Sequence, residues 1–403
     1  MKKITAIALS AVFLFLSAVS MGRKEQVTDI SVNRDNNSVE IIEALESNVK
    51  EAVSAAESAE TNESSPLSAL GYVIVTDYIK TDGKTDVSDD IQNIIDSNPN
   101  KTIYFPDGIY VVDKPIVTPA NPRKSVDLQL SNYAVIRASE SWQGGAVISL
   151  GGKDAANDTH TVGSNYSLTG GVIDGSGKAD GVSIDGGRET AVRNVSIKNV
   201  LVGLRIKYGA NSGSSDADIS NVNIIGTGAT DSVGIYVEGF DNTFTNIRIG
   251  NVFTGVHLKS SANSLRNIHP LYYSDYTDYE NSCGFFDEGG NNIYDFCYSD
   301  QFCIGFRTAE NISSIYDNCF CFWYTGAGGR EIAFKADGRF NSVVTNLRSD
   351  FRDDTENSAL VVGEGSGGGV FENLLVNENR LSDKSHKIYM RGNLIFFLRN
   401  LFV

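Results

Sequence analysis

The sequence predicts an all-β fold, a parallel β-helix in which short strands stack rung upon rung behind a capping helix. Three observations predict it. A two-strand template recurs from about residue 166 onward at intervals of 21–29 residues. Thirty-nine glycines against seven prolines, with abundant Val, Ile, Phe and Tyr, favour short strands and tight turns. A helix-then-strand segment of different texture precedes the repeats, where a solenoid needs its open end covered. The 403 residues suffice for a large core, and the net charge of −16 lacks the basic footprint that nucleic acid requires.

The elements follow in chain order. Met1-Lys2-Lys3 is a basic leader, Ile4 to Val19 is apolar, and Ala18-Val19-Ser20 supplies small residues for cleavage, so residues 1–20 read as a secretory signal peptide. The apolar stretch is short for a spanning helix, and no later run reaches the roughly 18 residues that a span needs. The mature chain is therefore expected outside the cell and off the membrane. Residues 21–70 read as an acidic, low-complexity linker, with ten acids against Arg34 and Lys50 over 25–65. Helical spacing of Ile41, Ile42, Leu45, Val49 and Val53 allows one amphipathic helix there, as a spacer or a short oligomerisation stalk. The β-helix domain is expected over 71–403, with the cap and leading strands in 71–120 and the rungs in 121–403. Ser88 is expected to cap a helix that carries Ile91, Ile94 and Ile95 on one face, with Asp89 and Asp90 in its first turn. Strands on either side of Pro106-Asp107-Gly108 follow.

In the rungs, one motif reads apolar, any, Asn or Asp, apolar: Val192-Arg193-Asn194-Val195, Ile219-Ser220-Asn221-Val222, Phe244-Thr245-Asn246-Ile247 and Leu265-Arg266-Asn267-Ile268. It continues at Ile293-Tyr294-Asp295-Phe296 and Ile315-Tyr316-Asp317-Asn318, and closes at Asn346 and Asn373. Its Asn and Asp side chains are expected to stack as a buried hydrogen-bonded ladder between rungs. A second motif, Gly-apolar-x-apolar, begins at Gly181, Gly203, Gly234 and Gly255, with weaker copies at Gly284 and Gly305. The variable spacing fits a β-helix, whose turns absorb extra residues, better than a leucine-rich repeat or a propeller blade.

The run Asp82-Gly83-Lys84-Thr85-Asp86, continued by Asp89-Asp90-Ile91-Gln92, and the run Tyr104-Phe105-Pro106-Asp107-Gly108-Ile109-Tyr110 resemble the leading segment of the pectate-lyase-like superfamily of right-handed parallel β-helices. Val87-Ser88 displaces the usual Asp-Asp pair of the first run. The resemblance covers about 75–120 by motif and the rest by repeat pattern. It implies the fold. Its activities are several, since hydrolases, lyases, epimerases and phage tailspikes share it. The N-T-D, paired-Asp and G-H-G elements of polygalacturonases are missing, and so is the R-x-P-x-x-R signature of some pectate lyases. Arg205-Ile206-Lys207 matches R-I-K but is already explained by strand alternation.

Alternation places the third residue of each Gly motif outward, giving a column of Ser183, Arg205, Tyr236, His257, Phe286 and Arg307. Two residues on, a second column reads Asp185, Lys207, Glu238, Lys259 and Glu288. Mixed aromatic, basic and acidic groups suit a polysaccharide, with rings stacking on sugar faces and cations meeting carboxylates; a plain solvated face with cross-strand ion pairs is the alternative. A rival outward column runs Ser196, Asn223, Arg248, His269, Cys297 and Arg348. The loop 271–280, with Tyr272, Tyr273, Asp275 and Tyr276, is expected to face substrate.

The expected catalytic groups are Glu238, Asp287 and Glu288 as hydrolytic carboxylates, with His257 and Lys259 as bases if the reaction is an elimination. Arg205, Lys207, Tyr236, Phe286 and Arg307 join the loop residues in binding substrate. No metal or cofactor is expected for a hydrolase, whereas a lyase would admit Ca²⁺. The five cysteines lie within 283–321 without a C-x-x-C pair, and Cys297 and Cys319 are expected on adjacent rungs. The expected function is thus that of a secreted, carbohydrate-active β-helix, monomeric or trimeric. It would cleave an extracellular polysaccharide, an anionic one included, as a glycoside hydrolase or polysaccharide lyase. The alternative is a non-catalytic glycan-binding or adhesion β-helix; the signal peptide argues against a phage tailspike.

Overall fold

A computed structural model describes residues 70–153, 167–208, 214–273, 278–324, 331–351, 358–362, 368–377, 386–390 and 397–402. The expected signal peptide and all but the end of the expected acidic linker lie outside these. The described chain is a parallel β-helix: its strands form a 21-stranded and an 11-stranded sheet, and each strand pairs in parallel with its counterpart one rung away. The inward column of the 11-stranded sheet runs Val182, Leu204, Ile235, Val256, Phe285, Phe306 and Phe334 in register. Those side chains are buried, and the change from aliphatic to aromatic is met by face-to-face stacking, as at Phe285–Phe306 with centroids 4.7 Å apart.

The glycine that opens each Gly motif has a packing reason. A Cβ on Gly203 would lie 2.5 Å from the Gly234 carbonyl oxygen, and one on Gly234 would lie 2.5 Å from the Gly255 carbonyl oxygen. Backbone in the next rung occupies the space, so only hydrogen fits there.

The helix Ser88–Ser97 forms where expected and buries Ile91, Ile94 and Ile95. Its cap differs from expectation: Ser88 lies inside the first turn, and Asp86 accepts from the Ser88 amide at 3.0 Å and the Asp113 amide at 2.9 Å. Burial alone would raise the Asp86 carboxyl, but these donors hold it below its ordinary value. From the same helix, Gln92 donates Nε2–H to the Val117 carbonyl at 3.0 Å and accepts the Val117 amide at 2.9 Å. Val117 lies on Ile116–Pro119, the first strand of the 11-stranded sheet.

The asparagine ladder exists but is not buried. Asn194, Asn221, Asn246 and Asn267 sit at φ of 55–58°; the first two turn the chain between two strands of a rung, and the other two bend the continuous strands Thr243–Gly250 and Ser264–Leu271. Asparagine tolerates this left-handed conformation better than most residues. Their exposed amides bond rung to rung at 3.2, 3.4 and 2.8 Å. The template slips by one residue in two rungs. Leu265 pairs with Tyr294 and Tyr294 with Tyr316, so the tyrosines point inward. Ile293 and Ile315 are exposed, and the left-handed corner falls on Phe296 rather than Asp295. A buried asparagine ladder does occur at another corner: Asn242 donates to Asn263 at 2.9 Å and Asn263 to Asn292 at 3.2 Å.

All five cysteines are buried thiols, with Cys297 and Cys319 on adjacent rungs as expected. Burial pushes the Cys283 thiol up to about 12.

Candidate functional site

The outward column of the 11-stranded sheet is assembled as alternation requires. Ser183, Arg205, Tyr236, His257, Phe286 and Arg307 are register partners in succession, and Lys335 continues the series. The side chains touch along the axis. Arg205 lies 4.8 Å over the Tyr236 ring and Arg307 lies 4.5 Å over Phe286. His257 meets Tyr236 edge to face and stacks on Phe286 with centroids 4.7 Å apart. Both faces of Phe286 are therefore taken within the column, and Arg205 covers Tyr236. These rings hold the face together and offer a sugar mostly their edges, which differs from the stacking expected of them.

The second column carries the chemistry. Glu288 leans back to His257, with Oε2 2.9 Å from Nε2, and also pairs with Lys259 at 3.3 Å. Burial alone would raise the Glu288 carboxyl, but hydrogen bonds from His257 and Lys259 outweigh it and hold it low. Burial lowers His257 below the ordinary imidazole value despite Glu288, while the bond to Glu288 raises Lys259. At neutral pH the cluster therefore holds an ionised Glu288, a neutral His257 and a protonated Lys259. The other cations are paired as well. Lys207 meets Asp185 at 2.9 Å, Arg205 meets Asp180 at 3.6 Å, and Asp337 takes both Arg307 at 2.7 Å and Lys335 at 3.5 Å. Glu238 stands apart: it is partly exposed, and among the described residues no side chain or amide bonds to its carboxylate.

Several of the expected site residues need correction or restriction. Asp287 does not join this face. It ends the strand Cys283–Asp287 with its side chain turned inward at 1% exposure. There it accepts from the Gly289 and Gly290 amides, Asn292, Ser314 and Tyr316 at 2.7–3.2 Å, an internal knot that no substrate reaches. Tyr272 is also buried, against Tyr279 and Phe302, so it packs the loop rather than facing ligand. Tyr273 is 45% exposed but folds over Gly250 of the other sheet. Asp275 and Tyr276 lie outside the described residues.

The rival column is corrected by the one-residue slip. Tyr298 and Phe320, not Cys297, continue it from His269 toward Arg348. His269 stacks on Tyr298 at 4.1 Å, Tyr298 on Phe320 at 4.7 Å, and Arg348 covers Phe320 at 5.1 Å. Among the described residues no group of three metal-ligating side chains comes together.

The sequence reading missed Tyr208 and Phe240. Tyr208 directly follows Lys207 whereas Phe240 lies two residues after Glu238, both just past the ends of their strands, so the repeat template marks neither. They are 62% and 36% exposed, in an edge-to-face pair with centroids 5.6 Å apart. Such a pair covers at most one of its four ring faces, so these two rings retain the open faces that the central column lacks.

Comparison with known proteins agrees with this architecture. No curated protein sequence matches the chain. Among solved structures, the tailspike protein of E. coli bacteriophage HK620 in complex with pentasaccharide superposes with a TM-score of 0.61 at 14% identity, covering 80% of this chain and 65% of that one. A double mutant of the same tailspike, also with pentasaccharide, gives 0.64 at 13% identity over 81% and 65%. The chain thus spans about two thirds of the tailspike length, and at such identity the likeness is one of fold. The profile described as "Rhamnogalacturonase A/epimerase, pectate lyase-like" matches residues 72–284, more than half of the chain. Fold, leading motifs and profile agree: the chain belongs to the rhamnogalacturonase A/epimerase family of pectate-lyase-like, right-handed parallel β-helices.

Proposed function

We propose that this is an exported glycan hydrolase whose substrate lies along the outward columns of the 11-stranded sheet, with Glu238 and Glu288 as the working carboxylates. The observation that carries the reading is the contrast between them. Among the described residues no hydrogen bond or ion pair holds the Glu238 carboxylate, whereas Glu288 is fixed by His257 and Lys259 and held ionised. Glu288 is suited to act as the base or nucleophile and Glu238 to give a proton to the leaving oxygen. Their backbones stand two strand spacings apart, and Glu288 leans back toward the rung between them. That puts the carboxyl groups roughly 5–10 Å apart, the span over which glycosidases work. Elimination is less well supported, because Lys259 is held protonated by Glu288 and so makes a poor proton acceptor, and His257 Nε2 is already engaged as donor to the ionised Glu288. Export rests on the basic leader and apolar run at residues 1–20.

Release of reducing ends from a polysaccharide panel, read beside the absorbance of unsaturated products, tests this reading. Hydrolysis is expected, with Glu238→Gln and Glu288→Gln each lowering the rate about 10²–10⁴-fold while binding persists. Unsaturated products, or activity indifferent to both substitutions, would refute the assignment.

A further inference from the structure

We infer that the glycan bound on this face is uncharged, and that the Tyr208–Phe240 pair grips it at one end. The inference rests on the glycan-binding reading above and concerns which class of glycan the face accepts. Charge accounting carries it. The five basic side chains of the columns each already hold a carboxylate within 3.6 Å. Their partners are Asp180, Asp185, Glu288 and Asp337, and Glu238 adds a fifth acid that forms no ion pair among the described residues.

The face is therefore formally neutral with Glu238 ionised, and one charge positive when Glu238 carries the proton it is proposed to donate, with every cation already paired in either state, on a chain of net charge −16. A polyuronate brings one carboxylate per sugar ring. Each would have to take an Arg or Lys from an existing partner, exchanging one ion pair for another and stranding an acid beside the incoming anion. The long-range field of the acidic chain opposes its approach as well. An uncharged glycan leaves every pair in place. Its hydroxyls can donate to Glu238 and accept from the cations. Its apolar ring faces need open aromatic faces, and in this region the described chain presents them at Tyr208 and Phe240 rather than in the self-stacked column.

Affinity electrophoresis of the full chain tests this, with gels containing neutral galactan, xylan or glucomannan, polygalacturonate, or fully methyl-esterified polygalacturonate. The esterified polymer has the same backbone as its acid form without the charge. Retardation by the esterified polymer or a neutral glycan, little changed by salt and stronger than that by polygalacturonate, is the expected result. The Tyr208→Ala/Phe240→Ala double variant should weaken it about tenfold. Tyr208→Ala alone, at the more exposed ring, serves if the double variant does not fold. Retardation by polygalacturonate that exceeds that by its ester and fades with salt would overturn the inference while leaving glycan binding intact. Binding indifferent to loss of the ring faces would overturn the proposed grip. Retardation by none of the polymers would remove the glycan-binding reading, and this inference with it.

Discussion

Replacing Gly234 by alanine adds one methyl group where the structure leaves no space for it. The new Cβ would lie 2.5 Å from the Gly255 carbonyl oxygen and in contact with the Ile249 side chain. The isoleucine can turn away, but the carbonyl belongs to a strand locked in register with Val233–Val237, so the two rungs must separate locally. Forcing extra volume into such a site costs about 1–3 kcal/mol. Gly145 is the internal control, since a Cβ there meets nothing within 4 Å and its backbone is not left-handed. Alanine at Gly145 should be neutral or stabilising by up to about 1 kcal/mol, through the unfolded chain. In urea, with a slope of about 1–3 kcal/mol per molar, Gly234→Ala should lower the unfolding midpoint by roughly 1 M and Gly145→Ala should not. Equal midpoints for the two variants would refute the claim that stacked backbone selects glycine in this motif.

Other outcomes follow from the same geometry. Asp287→Ala strands Asn292, Ser314, Tyr316 and two amides without their acceptor, so a loss above about 3 kcal/mol is expected in thermal or urea unfolding. Phe296→Asn, at a corner with φ of 58° and 64% exposure, should stabilise by about 1 kcal/mol by relieving the left-handed penalty; an unchanged melting temperature would contradict this. Glu288 and His257 both titrate below their ordinary values of 4.5 and 6.5 in the folded chain, so each contribution is complete above that ordinary value and is lost as the pH falls. Acid unfolding should accordingly be steeper in the parent than in Glu288→Gln below pH 4.5. A thiol reagent should find no reactive cysteine in the native chain and five after denaturation, since all five are buried thiols.

The outward column from Ser183 to Arg307 was legible in full, because a period of two and a glycine marker fix both phase and register. The slip at Ile293 and Ile315 has a physical origin. An isoleucine satisfies an apolar template better than the neighbouring tyrosine does. Yet Tyr294 and Tyr316 turn inward, where Tyr316 bonds the equally buried Asp287. Reading Asp287 as an outward site residue and reading the tyrosines as variable positions were one error, since each polar group is tolerated inside only because of the other. The loop tyrosines had no periodicity to sort them, so the inward turn of Tyr272 beside the outward Tyr273 could not be read from spacing. The ion pairs of Arg205 and Arg307 reach Asp180 and Asp337, positions outside the motif that drew attention to the column.

Gln92 has a consequence for assembly. The first strand of a parallel sheet exposes backbone donors and acceptors that a strand from any other molecule could adopt, and a coil built of near-identical rungs would be an apt template for head-to-tail fibres. By donating to and accepting from Val117 at once, the Gln92 amide does what one residue of an invading strand would do. A single side chain thus gives the edge the partner it lacks and denies it to a second molecule. That would help the growth of the coil stop at its own first rung.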